Sequence, residues 1–492
     1  MIALGVALLV LCFAALLLLN VPVAFAVGIA ASVGLLAASD AEVASAIAQK
    51  MASGVDSFPL LAIPFFILAG NVMSASGMAK RLIDAARVLV GWMPGGLSLV
   101  NVLSCMLFGS ISGSAAAAIS SIGGVTIPAL EAEGEDRGYA TALCTTAATT
   151  GLLIPPSNVM IVYAVVAQTS VAALFFAGVG PGVLLGLLLM VAALLVRRPD
   201  PERGARARRE SRPSSAAQAA TAVALACPSL ALIVVVLGGI LGGYFSATEA
   251  AAVSVFFAAL IGVFERFVQA LRKEAGPRLS LGGIPRIVLE SVRTTSIVMF
   301  LIAASQAMSW VLSYLRIPQT FADELLSIAS DPIVLLILMN LTLLVVGTFL
   351  DMTPALLIFT PIFLPVAQAL GLHPVHFGVV MILNLSIGLC TPPVGTCLFV
   401  GCSVGRVSIA RVAKPMLPFF GAMVLALILT TASASLSMWL PRTLDLVDPE
   451  PSEITETLAA HPGAATCSTC DARAGSWSGQ QPCRVLPRAR AR

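Results

Sequence analysis

The sequence predicts an all-α polytopic membrane protein of two inverted-topology repeats, each with a re-entrant hairpin and a broken helix. Three observations predict it. Only 11% of the 492 residues are charged and mean hydropathy is +0.98, whereas a soluble chain carries about 25% charge. Apolar runs of bilayer-spanning length, roughly 17–25 residues, recur from end to end. The chain also matches itself three times, in the same order and at nearly one spacing.

The runs do not alternate apolar and polar residues, which argues against an outer-membrane barrel. They fall near 2–19, 22–38, 57–76, 98–128, 138–168 and 171–196, then near 222–243, 246–264, 291–315, 334–366, 376–403 and 412–440. The first run lacks a basic start and flows into the second, so it reads as a retained helix and not a cleaved signal.

The self-match is carried by unusual residues. "GLLIPPSNVMIVYAVVAQ" from Gly151 pairs with "GLCTPPVGTCLFVGCSVG" from Gly388, 237 residues later. "NVLSCMLFGSISGS" from Asn101 pairs with "NLTLLVVGTFLDMT" from Asn340, and "FFILAGNVMS" from Phe65 with "MFLIAASQAMS" from Met299. The repeats are therefore drawn as 1–196 and 222–440. An Arg-rich linker, 197–221, joins them, and a polar low-complexity tail, 441–492, follows.

The fourth run of each half, about 98–128 and about 334–366, is too long for one crossing. Each is interrupted in the middle, by "GSISGS" or "GTFLDMT". Two arms of about 14 residues reach about 21 Å each, short of a hydrocarbon core of about 30 Å. Each run is thus expected to enter and leave by one side. With that folding, one set of loops holds 20 of the 28 Lys/Arg, while the opposite set holds only Lys50 and Arg316. The positive-inside rule then places the 197–221 linker in the cytoplasm and both termini in the periplasm. Five crossings per half invert the second half relative to the first.

Several chemistries are missing. None of the four lysines follows a glycine, so there is no phosphate-binding GxxxxGK[ST] loop and no expected use of ATP. There is no HExxH, and His373 and His376 in "HPVH" read as loop-lining residues without a third ligand. Cys467, Cys470 and Cys483, with His461, read as tail and not as a zinc site. The net charge of +3 argues against an acidic partner such as nucleic acid. Trp92, Trp310 and Trp439 near predicted helix ends read as interface anchors. No catalytic residue is assigned: an intramembrane enzyme would need converging acid, base or metal groups, and Asp351 alone does not supply them. A pure scaffold would leave both broken hairpins without a use.

Inverted halves with interrupted helices are the signature of a secondary transporter. Pro155-Pro156 and Pro392-Pro393 guarantee breaks at about 138–168 and about 376–403, because proline lacks the N–H and clashes with the preceding turn. Freed carbonyls and nearby hydroxyls make an all-oxygen cage suited to a hard cation such as Na⁺, while half-helix N-termini favour a negative group. In the first half Ser110, Ser112 and Ser114 are expected on a hairpin tip facing the first break. In the second half Thr348, Asp351 and Thr353 face the second, with Thr391 and Thr396 alongside. The competing reading is that small residues merely allow close helix packing. Asp351 is the one acid placed at membrane depth, either functional or capping the second hairpin arm.

"GSISGSAAAAISSIGG", "GLLIPPSNVMIVYA", "GTFLDMTPALLIFTPIFLPVA" and "LCTPPVGTCLFVG" resemble the large membrane subunit of TRAP (tripartite ATP-independent periplasmic) transporters, the DctM-like family, over about residues 1–440. The resemblance implies an elevator-type transporter in the bacterial inner membrane. It implies coupling to Na⁺ and import of an organic acid such as a dicarboxylate, sialic acid or another carboxylate. It implies two partners: a small four-helix (DctQ-like) membrane subunit and a periplasmic (DctP-like) substrate-binding protein. By motif match Ser110, Ser112, Pro155 and Ser157 belong to one Na⁺ site, and Gly347, Thr348, Thr391 and Pro393 to the other. The alternative of the same class is a proton-coupled organic-anion transporter of a related elevator family without a binding protein. The tail beyond about residue 441 departs from the family pattern.

Overall fold

The computed structural model describes residues 2–19, 21–38, 43–196, 216–272, 281–318, 320, 331–392 and 395–447. Most of the linker, Pro393 and the tail from residue 448 onward lie outside these described residues. So do Cys467, Cys470, Cys483 and His461. The described residues belong to one compact unit. Their regular structure is helical, and nine helices among them are long and apolar enough to cross a membrane.

α1 (Ile2–Leu18) and α2 (Val23–Ala38) pack side by side, and α3 (Val43–Val55) follows. A 3₁₀ turn over Phe58–Leu61 leads into α4 (Ala62–Ala75) and α5 (Met78–Val90). The stretch between the apolar runs 57–76 and 98–128 is mostly this helix. Its polar side carries Lys80, Asp84 and Arg87, while Met78, Leu82, Ile83 and Ala86 are buried, the periodicity of an amphipathic helix.

The first hairpin follows. α6 (Gly96–Ser112) ends at Gly113, whose φ of +60° suits glycine. The returning arm is α7 (Ala115–Ala118), a π turn and α8 (Gly124–Ala132). Thr126 donates a hydrogen bond to Asn101 Oδ1 at 3.0 Å. These residues lie at similar distances on either side of Gly113, so the arms run back along each other. α9 (Arg137–Ala148), a 3₁₀ turn over Thr149–Leu152 and α10 (Asn158–Val166) then form an interrupted helix, before α11 (Val171–Val196).

α12 (Ala216–Leu241), α13 (Ala247–Arg272) and α14 (Ile284–Tyr314) come next. α13 packs on α4, and α14 packs on α2 and α3. α15 (Pro332–Phe349) and α16 (Met352–Ala369) flank the "GTFLDMT" break and both pack on α17 (Pro374–Gly388). α18 (Thr396–Gly405), α19 (Ile409–Ala432) and α20 (Ala434–Thr443) complete the described chain. One large core joins the two hairpins and both interrupted helices, and a smaller one joins α1–α3 to the later half of α14.

Two close backbone crossings, one per hairpin, hold the hairpins to the interrupted helices. A Cβ on Gly109 of α6 would lie 2.7 Å from Gly151 Cα, and one on Gly388 would lie 2.5 Å from the carbonyl carbon of Gly347 in α15. Only glycine admits backbones that near. A buried ion pair, Arg81 Nε to Glu265 Oε2 at 3.2 Å, fixes α5 to α13 with side chains 6% and 2% exposed.

Candidate substrate and cation site

A cavity of about 340 Å³ lies where both hairpin tips meet both helix breaks. Ser112, Gly113 and Ser114 line it from the first tip, and Asp351, Met352 and Thr353 from the second. Leu152 and Asn158 line it from the first break, and Leu389, Thr396 and Cys397 from the second. α4 and α14 close one side with Gly70, Asn71, Thr294 and Val298. The volume is at the small end of ligand pockets, which run about 300–1,000 Å³.

Four helix starts lie on its wall. Ser114 is the N-cap of α7, and its Oγ accepts the Ala117 N–H at 3.3 Å. Ser157 is the N-cap of α10, Asp351 of α16 and Gly395 of α18. Helix N-termini carry unpaired N–H groups and partial positive charge, the environment an anionic group needs.

The second tip touches its break directly. Thr396 donates to Asp351 Oδ1 at 3.1 Å, and the Gly395 N–H points to the Thr348 carbonyl at 3.4 Å. At the first tip Ser112 Oγ donates to the Ser114 carbonyl at 3.3 Å. Three further hydroxyls donate back along their own helices: Ser110 to Leu107 O at 2.9 Å, Thr348 to Val345 O at 2.7 Å and Thr391 to Ile387 O at 2.8 Å. A hydroxyl that donates its hydrogen keeps oxygen lone pairs free for a cation. Ser157 Oγ and Asn158 Oδ1 are buried and have no hydrogen-bond partner. Oxygens left so beside a break fit a hard cation, whose ligands are oxygens.

Of the expected residues, the structure brings Ser112, Ser114, Asp351, Thr353 and Thr396 to one cavity. Ser110, Pro155 and Ser157 sit buried behind the first tip. Gly347, Thr348 and Thr391 sit behind the second, around the Gly347–Gly388 crossing. Pro393 lies outside the described residues. Asn71, Asn158 and Thr294 were not singled out from the sequence. Asn158 directly follows Ser157 in "PPSN", so a side-chain amide beside a Pro-Pro break was the available signal. Asn71 donates to Ser291 Oγ at 2.8 Å. Asn384 of α17 donates to both Asn340 O and Asn340 Oδ1 at 2.8 Å, bracing the second hairpin.

Several polar residues away from the cavity have structural partners. His373 caps α17 through Nδ1, which accepts the Val375 N–H at 3.1 Å, and buried His376 Nδ1 lies 2.7 Å from Ser437 Oγ. Arg137 donates to Gly405 O and Arg411 to Asp136 Oδ1, each at 2.7 Å, tying the start of α9 to the end of α18 and the start of α19. Burial pushes the Asp136 carboxyl up. Bonds from Arg411 and from the Tyr139 and Gly138 N–H groups outweigh that and hold it below its ordinary range.

The family described as "Tripartite ATP-independent periplasmic transporter, DctM component" matches residues 10–436. YgiK of Salmonella typhimurium, described as an uncharacterized protein, is 45% identical over 87% of this chain and 95% of its own length. The C4-dicarboxylate TRAP transporter large permease protein DctM of Vibrio cholerae is 36% identical over 89% of this chain and 98% of its own. Among solved structures, the Alcanivorax borkumensis YdaH transporter superposes with a TM-score of 0.57, covering 83% of this chain and 91% of that one. At 16% identity that likeness concerns the fold alone. The chain therefore belongs to the DctM component family of tripartite ATP-independent periplasmic transporters: it is a multi-pass helical membrane protein, a TRAP large permease.

Proposed function

We propose that this chain is the large subunit of a Na⁺-coupled, binding-protein-dependent importer of a small organic acid in the bacterial inner membrane. One observation carries the reading: four helix starts, two hydroxyl-rich hairpin tips and one carboxylate, Asp351, share a cavity of about 340 Å³. The helix starts favour a carboxylate. Asp351 repels one unless a cation is present as well. Buried oxygens without partners at Ser157 and Asn158 supply a place for that cation nearby. The name of the Vibrio cholerae relative supports C4-dicarboxylates as the first substrates to try.

The ion is cargo in this reading, and its gradient drives the import, without ATP. The partners are a small four-helix membrane subunit and a periplasmic binding protein. The Gly109–Gly151 and Gly347–Gly388 crossings have nearly the spacing of the sequence repeat, which supports two repeated halves. Rigid attachment of each hairpin to its break suits a transport domain that moves as one body, as in an elevator.

The test is reconstitution in vesicles with succinate as the probe. Uptake is expected with an inward Na⁺ gradient, the small subunit and the loaded binding protein, and is expected to stop when any one is omitted. Equal uptake with K⁺ in place of Na⁺ contradicts Na⁺ coupling. Asp351, the one carboxylate on the cavity wall, favours a second reading in that event. Protons then drive import, and uptake follows a pH gradient and fails in Asp351→Asn.

A further inference from the structure

A second cavity, of about 570 Å³, lies beside the end of α14 remote from Arg286 and Arg293. Lys50 of α3, Gln168 and Thr169 of the turn between α10 and α11, and Gln306, Ser309 and Trp310 of α14 define it. Its described lining carries one charge, the Lys50 ammonium, and no carboxylate. Among the described residues that ammonium forms no ion pair, and it stands 5.3 Å from the centroid of the Trp310 ring. The ring is held by stacking on Tyr314, with centroids 5.8 Å apart.

One detail points to a missing polar ligand. Thr169 Oγ1 is buried and has no hydrogen-bond partner, a state that costs free energy until a partner arrives. Gln168, with a φ of +52°, is the left-handed residue that ends α10, where the Thr169 N–H closes on the Ala164 carbonyl at 2.8 Å. Lys50, Gln168, Gln306 and Thr169 together offer N–H and O–H donors around a positive charge. That is the recognition chemistry of a carboxylate.

The cavity continues the seam that holds the central one. α10 gives Asn158, Val159 and Val162 to the central cavity, then Ala164 and Val165 to the second. α14 gives Thr294 and Val298 to the first, then Gln306 and Ser309 to the second. The step from Val298 to Gln306 is about 12 Å at 1.5 Å per residue.

We propose that this second cavity is a separate binding site for a small carboxylate, with Lys50 as its counter-charge and Thr169 as a hydrogen-bond donor. It is a station on the route to the central cavity. Its place on a transport route rests on the function proposed above, whereas its affinity for a carboxylate does not. Trp310 forms its wall and reports its occupancy.

The experiment uses the full chain with Trp92, Trp439 and Trp477 each replaced by phenylalanine, so that Trp310 is the sole indole. The purified protein is titrated with succinate and, separately, with its neutral analogue succinamide. Succinate is expected to change Trp310 fluorescence saturably and succinamide is not. Lys50→Gln is expected to weaken the response about tenfold or more, the usual loss for a hydrogen bond to a charged group. Lys50→Arg is expected to retain it, which reports a folded site, and Thr169→Val to weaken it independently. Asp351→Asn, in the central cavity, is expected to leave it unchanged. No saturable change, an equal response to succinamide, a full response in Lys50→Gln, or loss in Asp351→Asn overturns the proposal. Succinate uptake without a Lys50-dependent signal sinks this site alone. A Lys50-dependent signal in a protein that imports no organic acid leaves the site standing and sinks the transport reading.

Discussion

Replacing Gly109 by alanine tests whether the first hairpin must rest against the first break. The added methyl would lie 2.7 Å from Gly151 Cα. Carbon atoms rest at about 3.5–4.0 Å, so the two backbones must part by about 1 Å. Neither is the end of a flexible side chain that swings away. Overpacking of this kind costs about 1–3 kcal/mol. The functional loss should exceed the stability loss, because binding constellations tolerate displacements of only about 0.5 Å. Gly388→Ala poses the same problem at the second hairpin, 2.5 Å from the Gly347 carbonyl carbon. Gly124→Ala is the control: it lies in the first hairpin with φ −57°, and nothing stands within 4 Å of its added Cβ. Alanine there should stabilise the helix by about 0.5–1 kcal/mol. The assay is thermal unfolding of each purified variant, paired with Na⁺-driven uptake in vesicles. Gly124→Ala should match the wild type in uptake and unfold slightly above it. Gly109→Ala and Gly388→Ala should raise the Na⁺ concentration for half-maximal uptake about tenfold, equivalent to about 1.4 kcal/mol. Unchanged Na⁺ dependence in both would refute the argument that these crossings position the site.

Three other outcomes are expected. Ser112→Ala and Thr348→Val should weaken Na⁺ dependence without unfolding the protein, since each removes an oxygen and nearly keeps the volume; silence in both would mean that these hydroxyls only fill space. Arg81→Ala should lower stability by about 3–5 kcal/mol by taking the Arg81 charge from the buried Glu265 carboxylate, and Arg81→Met with Glu265→Leu should recover much of it. A thermal midpoint lower in that double variant than in Arg81→Ala would contradict the electrostatic explanation. Single cysteines placed at Arg203 and at Glu450 in a cysteine-free background should label from opposite sides of the membrane; labelling from one side rules out inverted halves.

The positions where the chain breaks were legible because lipid leaves no choice. Paired prolines and small polar residues inside apolar runs free backbone groups that must be used, and the structure brings Ser112, Ser114, Asp351, Thr353 and Thr396 to one cavity. The directions of hydroxyls were not legible. Ser110 and Ser112 stand two residues apart, yet one bonds back to Leu107 and the other bonds at the tip, a matter of rotamer and local turn. The ion pair that fixes α5 was not legible among Lys80, Arg81, Asp84 and Arg87, which together suit an exposed polar face. One of them, Arg81, is buried against a partner 184 residues away, and no local pattern discloses that. Trp310 looked like an interface anchor by its place near a helix end. Its Tyr314 stacking was within reach at i+4, but Lys50 above the ring came from another helix.

The most direct measurement counts ion and acid together. Vesicles holding the large and small subunits receive radiolabelled Na⁺ outside, with the binding protein added either empty or loaded with succinate. If one cavity couples both hairpins, labelled Na⁺ enters in a fixed ratio to succinate and only with the loaded binding protein. Asp351→Asn should reduce both fluxes together. Succinate entry without Na⁺ entry, or Na⁺ entry indifferent to succinate, contradicts a coupled site between the two hairpin tips.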